Sequence, residues 1–170
     1  NLAGTSTITA GKLRVGDSNS STTSGSPNKF NLGGANTLNV DTIAVGAGYA
    51  SGTLAFRTGL PTTSSVTIRA KDGTGRANLS IGVNTAVSVN NTQGGTVDFT
   101  GGTVDALINT LTLAQRADTN NNGAYSGILS MSRGTIDATS VILGKTLTAT
   151  SGGSATTGTI NVSGGTFTAG

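Results

Sequence analysis

The chain has no Cys, His, Trp or Glu. Disulfide frameworks, thiolate zinc sites, Ser-His-Asp triads and imidazole acid–base chemistry are therefore excluded. Its seven Asp are the only side-chain carboxylates. Charge is sparse as well: ten Lys and Arg leave a net charge of only +3 over 170 residues. These cations stand singly, with no basic stripe interleaved by aromatics, which argues against nucleic-acid binding. The one G-K-[ST] triplet, Gly144-Lys145-Thr146, has Thr139 where a P-loop needs its first Gly, so a P-loop is absent. No apolar run approaches the ~20 residues of a membrane span, and the N-terminus carries no signal-peptide pattern and no initiator Met. The chain reads as a mature product or an excised piece.

What is present is polar and small. Gly (27), Thr (31), Ser (18) and Asn (15) make up just over half of the residues. Leu, Ile, Val and Phe number 37, close to the border below which chains fail to fold, but the high net charge typical of disorder is missing. Thr and Val favour strands, while Gly and Asn disfavour long helices.

Three short phrases recur. The sequence apolar-x-apolar-small occurs as Leu13-Arg14-Val15-Gly16, Ile43-Ala44-Val45-Gly46, Leu79-Ser80-Ile81-Gly82, Leu111-Thr112-Leu113-Ala114 and Val141-Ile142-Leu143-Gly144, at spacings of 30, 36, 32 and 30. Before it come Ile8-Thr9-Ala10, Leu38-Asn39-Val40, Val66-Thr67-Ile68, Val104-Asp105-Ala106 and Ile136-Asp137-Ala138, with Phe167-Thr168-Ala169 closing the chain. After it come Phe30-Asn31-Leu32, Leu54-Ala55-Phe56, Val97-Asp98-Phe99, Leu129-Ser130-Met131 and Ile160-Asn161-Val162, each leading into Gly (Gly33, Gly59, Gly101, Gly134, Gly164).

Each unit thus holds three short strands with two-residue alternation, one face inward and one outward. No unit buries its inward face alone, but stacked units do. The expectation is an all-β parallel β-helix, or β-solenoid, of about five coils of 30–36 residues, spanning 1–170 as one domain. Leu13/Ile43/Leu79/Leu111/Val141 and Val15/Val45/Ile81/Leu113/Leu143 are its inward ladders, and the glycines sit at corners that need positive φ or close backbone approach. A β-sandwich of the same strands does not require a recurring unit. A helix across Ala106–Ala117 conflicts with Leu111 and Leu113, which fall on the repeat register. The connections Asp17–Lys29, Ala47–Thr53, Val83–Thr96, Gln115–Ile128 and Lys145–Thr159 vary in length at one place per coil, which marks a loop face. One of them carries its own alternation, Val87-Ser88-Val89, and so an extra strand.

Residues 8–16, Ile8-Thr9-Ala10-Gly11-Lys12-Leu13-Arg14-Val15-Gly16, resemble the autotransporter-associated β-strand repeat. Gly158–Thr166 is similar to the same broad group of secreted bacterial passengers and adhesins. The resemblance implies a right-handed parallel β-helix, exported to the cell surface or beyond, and carries over no catalytic residue. The long loops 17–29 and 115–128 and the irregular third unit depart from the pattern.

Asp118-Thr119-Asn120-Asn121-Asn122-Gly123 matches the first half of a calcium loop, with Asp118, Asn120 and Asn122 as oxygen ligands. The closing carboxylate position is Leu129, and an Asn/Gly-rich turn is the plainer reading. Calcium is the one cofactor considered. Asp105 and Asp137 stand at equivalent positions of neighbouring phrases, so stacking places them ~4.8 Å apart, where like carboxylates shift a pKa or recruit a cation. Pectate-lyase-type β-helices use stacked acidic residues with calcium, so this resemblance implies a polysaccharide-active enzyme as one reading. The other rungs, Thr9, Asn39, Thr67 and Thr168, form a plain polar ladder with no recurring base. An ice-binding face needs a regular Thr array, and Arg14, Ala44, Ser80, Thr112 and Ile142 are not one. Gly46-Ala47-Gly48 is no dinucleotide fingerprint. Asn19, Asn78, Asn90 and Asn161 head sequons of a kind frequent by chance in such a composition.

Ser6–Gly11 and Gly165–Gly170 repeat one phrase, so the chain begins and ends at one phase of the coil, without caps. Five turns at ~4.8 Å reach roughly 24 Å, short for a stalk. The expected function is a structural or adhesive segment of a large extracellular bacterial protein. A subunit stacking end to end into a matrix filament is the alternative, and an enzyme the third. The expected partners are further copies of the chain and cell-surface or matrix polysaccharide.

Overall fold

A computed structural model of the chain describes residues 1–18, 28–84, 92–116, 124–146 and 155–170. Among these residues there is no helix, and every strand pairing is parallel. The strands are β1 (Thr5–Ser18), β2 (Asn28–Leu32), β3 (Ala35–Gly48), β4 (Gly52–Phe56), β5 (Ser65–Arg69), β6 (Ala77–Asn84), β7 (Gln93–Asp98), β8 (Thr103–Arg116), β9 (Tyr125–Met131), β10 (Gly134–Thr146), β11 (Thr156–Val162) and β12 (Thr166–Ala169). One sheet has the order β1-β3-β5-β8-β10-β12, with β6 also joining β3 to β8. The other has the order β2-β4-β7-β9-β11, five passes separated by four full turns. This is a parallel β-solenoid.

The first two phrases of a coil share one bent strand. Pairing skips one residue at Gly11 and Asp41 and again at Asn109 and Thr139. In β3, Asn36, Leu38 and Val40 are buried before the bend, and Ile43 and Val45 after it. Inward parity therefore switches at Asp41–Thr42, which turns the corner without breaking the strand. Six extra residues separate β5 from β6. Leu38 and Thr42 are four apart, and their partners Ile68 and Asn78 are ten apart. The insertion accounts for the 36-residue spacing.

Both second-phrase ladders stack as expected, through Leu13, Ile43, Leu79, Leu111 and Val141 and through Val15, Val45, Ile81, Leu113 and Leu143. The third phrase stacks Phe30 on Leu54, Val97, Leu129 and Ile160. Together they form one apolar column in which Ile43, Leu54, Ile81, Leu111 and Leu129 are fully buried, each stabilising by roughly 1.5–3 kcal/mol. Phe56 and Phe99 meet edge to face at 6.4 Å within it.

The first phrase stacks differently from the expectation. Its true inward ladder is Ile8, Leu38, Ile68, Ala106, Ile136 and Phe167. Val66-Thr67-Ile68 and Val104-Asp105-Ala106 are each displaced by two residues from the positions their resemblance suggested, and the register returns between Ala106 and Ile136. The cause in the fifth coil is path length. Val97 and Leu111 are fixed in ladders 14 residues apart, whereas Leu129 and Val141, in the same ladders, are 12 apart. Two fewer residues bring Ile136 over Ala106. A slip of two keeps the same side chains inward, so alternation alone does not reveal it.

Where each second phrase ends, the two sheets touch backbone to backbone. Gly16, Gly46, Gly82 and Gly144 all have φ between +61° and +69°. A Cβ at Gly46 would overlap the Gly94 carbonyl, and one at Gly95 would overlap the Val45 carbonyl. The facing column Gly52/Gly95/Gly127/Gly158 is stacked in register. Two glycine columns thus form a seam that pinches the coil shut. Ala114 is the one side chain in the left-handed column, at φ 55°. The gap is wider there: a Cβ at Gly158 would lie 2.7 Å from the Leu113 carbonyl. Gly46→Ala combines a left-handed Ala with a backbone clash and is expected to destabilise by about 3 kcal/mol or more in urea unfolding. Gly59→Ala, with positive φ but open space around it, is expected to cost only about 1 kcal/mol. Ala114→Gly should leave stability within about 1 kcal/mol of the parent.

Candidate functional site

Asp105 and Asp137 are not stacked on each other. Asp105 pairs with Thr67 and Thr135, and Asp137 with Leu107 and Thr168, because of the two-residue displacement. The expected carboxylate pair is therefore absent. Each Asp is instead held by an arginine that the repeat reading missed. Arg69 Nη2 meets Asp105 Oδ2 at 2.7 Å, while its Nη1 donates to the carbonyls of Ile68 and Asp105 at 2.8 and 2.9 Å. Arg76 Nη2 meets Asp137 Oδ2 at 2.6 Å, while its Nη1 donates to the carbonyls of Ile108 and Asp137 at 3.2 and 2.8 Å. Arg69 occupies the rung expected to be plain, which reads Thr9, Asn39, Arg69, Leu107, Asp137 and Thr168. The polar column beside it is Thr7, Thr37, Thr67, Asp105, Thr135 and Thr166.

Arg69 and Arg76 flank the six-residue insertion and make it a brace. Arg69 grips the next coil and Arg76 reaches the one after. On the other side, the Lys71 backbone N–H donates to Asp41 Oδ1 of the preceding coil at 2.9 Å. Within the loop, Asp72 Oδ1 accepts the N–H groups of Thr74 and Gly75 at 2.8 and 2.7 Å, an Asx turn. These bonds, Gly75 first and then Thr74, hold the Asp72 carboxyl below its ordinary range. Asn78 and Asn109 continue the corner with a 3.2 Å side-chain bond. The only sequence signal for these contacts was charge: an Arg one or two coils before an Asp, visible only with the correct register.

The variable connections all leave from one edge, just beyond the glycine seam. There Asp17 pairs with Ala47, Ala47 with Val83, Val83 with Gln115, and Gln115 with Lys145. Asn84, Gln93, Arg116 and Tyr125 are buried at the same level. Asn84 Nδ2 donates to the Tyr125 hydroxyl at 2.7 Å, and Ser51 Oγ to Gln93 Oε1 at 3.4 Å. The seam thus separates the apolar column from a thin polar layer at the edge where the connections leave. Burying such groups is tolerable only when they bond. Asp118, Asn120 and Asn122, the calcium-loop residues, and Val87-Ser88-Val89 lie outside the described residues. Among the described residues, no three Asp cluster in a way that could hold a metal ion, and no helix is long and apolar enough to cross a membrane.

A scan of protein-family models, a search of curated proteins and a search of solved structures each gave no match.

Two measurements check the brace. Arg69→Ala, which removes two bonds to carbonyls as well as an ion pair, should lower the unfolding free energy by about 1–3 kcal/mol. Asp105→Asn, which removes only an exposed ion-pair partner, should cost under about 1 kcal/mol. Asp72 titrates lower in the folded state than in the unfolded chain, so its contribution is present above the ordinary carboxylate range and fades as pH falls through the depressed value. Amide exchange at Thr74 and Gly75 should therefore accelerate upon acidification, beyond its intrinsic pH dependence, and Asp72→Ala should show the fast rate at every pH.

Proposed function

We propose that the chain is a structural and adhesive segment of a large extracellular bacterial β-solenoid protein. The observation that carries this reading is the division of labour across each coil. One closed apolar column does the stacking, and every variable connection is delivered to a single edge. A scaffold of this kind holds its shape by repetition and changes its loops without disturbing its core. The resemblance of residues 8–16 to exported passenger repeats supports the extracellular setting. Antibodies against the folded chain should label intact, unpermeabilised cells, and external protease should remove the label. Labelling that requires permeabilisation would contradict the reading.

A second reading, the end-to-end filament, is favoured by one observation. Leu143 and Val162, both in inward ladders, are 50% and 45% exposed. They offer a seat for a further coil, supplied by the same polypeptide or by a second copy. Sedimentation of the purified chain separates the two. A filament subunit grows in mass with concentration, and Leu143→Asp abolishes the growth. A plain segment stays monomeric throughout.

A further inference from the structure

The outer face of the second phrase carries a groove of about 340 Å³ beside the loop edge. Its origin is a run of small side chains. The outward column there is Arg14, Ala44, Ser80, Thr112 and Ile142. Ala44 and Ser80 are too short to fill the surface between Arg14 and Thr112, so a trough about two strand spacings long, roughly 10 Å, opens over them. Lys12 and Thr42, from the neighbouring column, form one wall. Asp17 also reaches the groove, but its carboxylate is engaged by Arg14. Lys12 forms no ion pair among the described residues. The groove therefore offers hydroxyls along its length and a cation at one end. Among the described residues, its lining has no aromatic ring, and Val83 is the one apolar side chain larger than Ala.

This chemistry selects among ligands. A peptide docks through apolar anchors in pockets or by adding a strand to a sheet edge. The groove lies on the face over β1, β3 and β6, not at the open edge of β1, and its described lining has almost no apolar side chains. A sugar chain carries many hydroxyls and few large apolar groups, and an acidic sugar adds a carboxylate for a cation to meet. We propose that the groove binds a short segment of an acidic polysaccharide, with Lys12 paired to a sugar carboxylate and Thr42 and Ser80 hydrogen-bonding sugar hydroxyls. The proposal rests on the adhesive reading and gives it a ligand class. One such contact on an exposed face is weak and falls with salt. Useful retention then comes from many grooves on one polymer.

The test is calorimetric titration of the whole chain with three probes: oligomannuronate, the same oligomer with its carboxyls methyl-esterified, and oligoglutamate. The expected result is binding of the free acid, weakening as salt is raised, with the ester and the peptide at least about tenfold weaker. Lys12→Gln should weaken binding about tenfold by removing the cation, and Ala44→Gln by a similar factor by filling the trough. Both side chains point outward, and an unchanged urea midpoint will show that the fold is intact. The salt dependence tests the electrostatic part without any substitution. Equal binding of acid and ester, oligoglutamate binding as tightly as the sugar, or wild-type affinity in both variants would overturn the groove assignment. If the chain and both variants are retained alike on cell-surface polysaccharide, the groove fails and the adhesive reading stands. If the wild type is retained by no polysaccharide, both fail.

Discussion

A solenoid with so few apolar residues per turn must keep a narrow cross-section. Every gap left between facing side chains costs stability, about 24 cal/mol per Å³ of cavity. Here the narrowing is done by backbone. Gly46 and Gly82 turn in the left-handed region and lie directly against the opposing glycine column, so the two sheets meet with no side chain between them. Once the coil is pinched at that point, single Leu, Ile, Val and Phe residues fill what remains. The small residue after each second phrase is thus the element that makes a Thr- and Asn-rich chain able to fold. Ala114 shows the tolerance of the device, since it stands where the sheets part slightly.

The exterior follows from the same pinch. The connections leave just beyond the seam and return before the third phrase, and it is at that edge that their lengths vary. The buried Asn84, Gln93 and Tyr125 show how the edge is finished, by hydrogen bonding rather than apolar packing. The opposite corner is treated differently. The insertion after Arg69 lies along the stack and ties neighbouring coils together through arginine contacts to carbonyls and carboxylates. Between corner and loop edge, the flat second-phrase face is left with short outward side chains, and its trough is a consequence of Ala44 and Ser80 standing where larger residues would have filled the surface.

Much of this was legible in the sequence. The second and third phrases placed Leu13 through Val141 and Phe30 through Ile160 in the ladders they occupy, because apolar side chains at fixed spacing leave one way to bury them all. Glycine after the second phrase correctly marked a corner. The first phrase was harder. Gly-Thr-Val-Asp at 102–105 and Gly-Thr-Ile-Asp at 134–137 look equivalent, yet they stack two residues apart, since a shift of two leaves inward and outward faces unchanged. That shift took away the expected carboxylate pair and put Arg69 and Arg76 beside Asp105 and Asp137. Such contacts depend on which residues of neighbouring coils stand side by side, and local pattern does not carry that information. The groove was equally hidden, because a trough between coils arises from the order of side-chain sizes along the stack.

Native-state hydrogen exchange tests the central claim most directly, because it reports separately on the seam, the ladders and the loop edge. If the backbone seam closes the coil, the amides of Gly46, Gly82, Gly95 and Gly127 open only with the whole fold. Their exchange free energies should then equal the unfolding free energy measured in urea and match those of the buried ladder residues Ile43 and Ile81. Seam amides that exchange by local opening, several kcal/mol more readily than these ladders, would contradict it, and the apolar column alone would have to account for the fold.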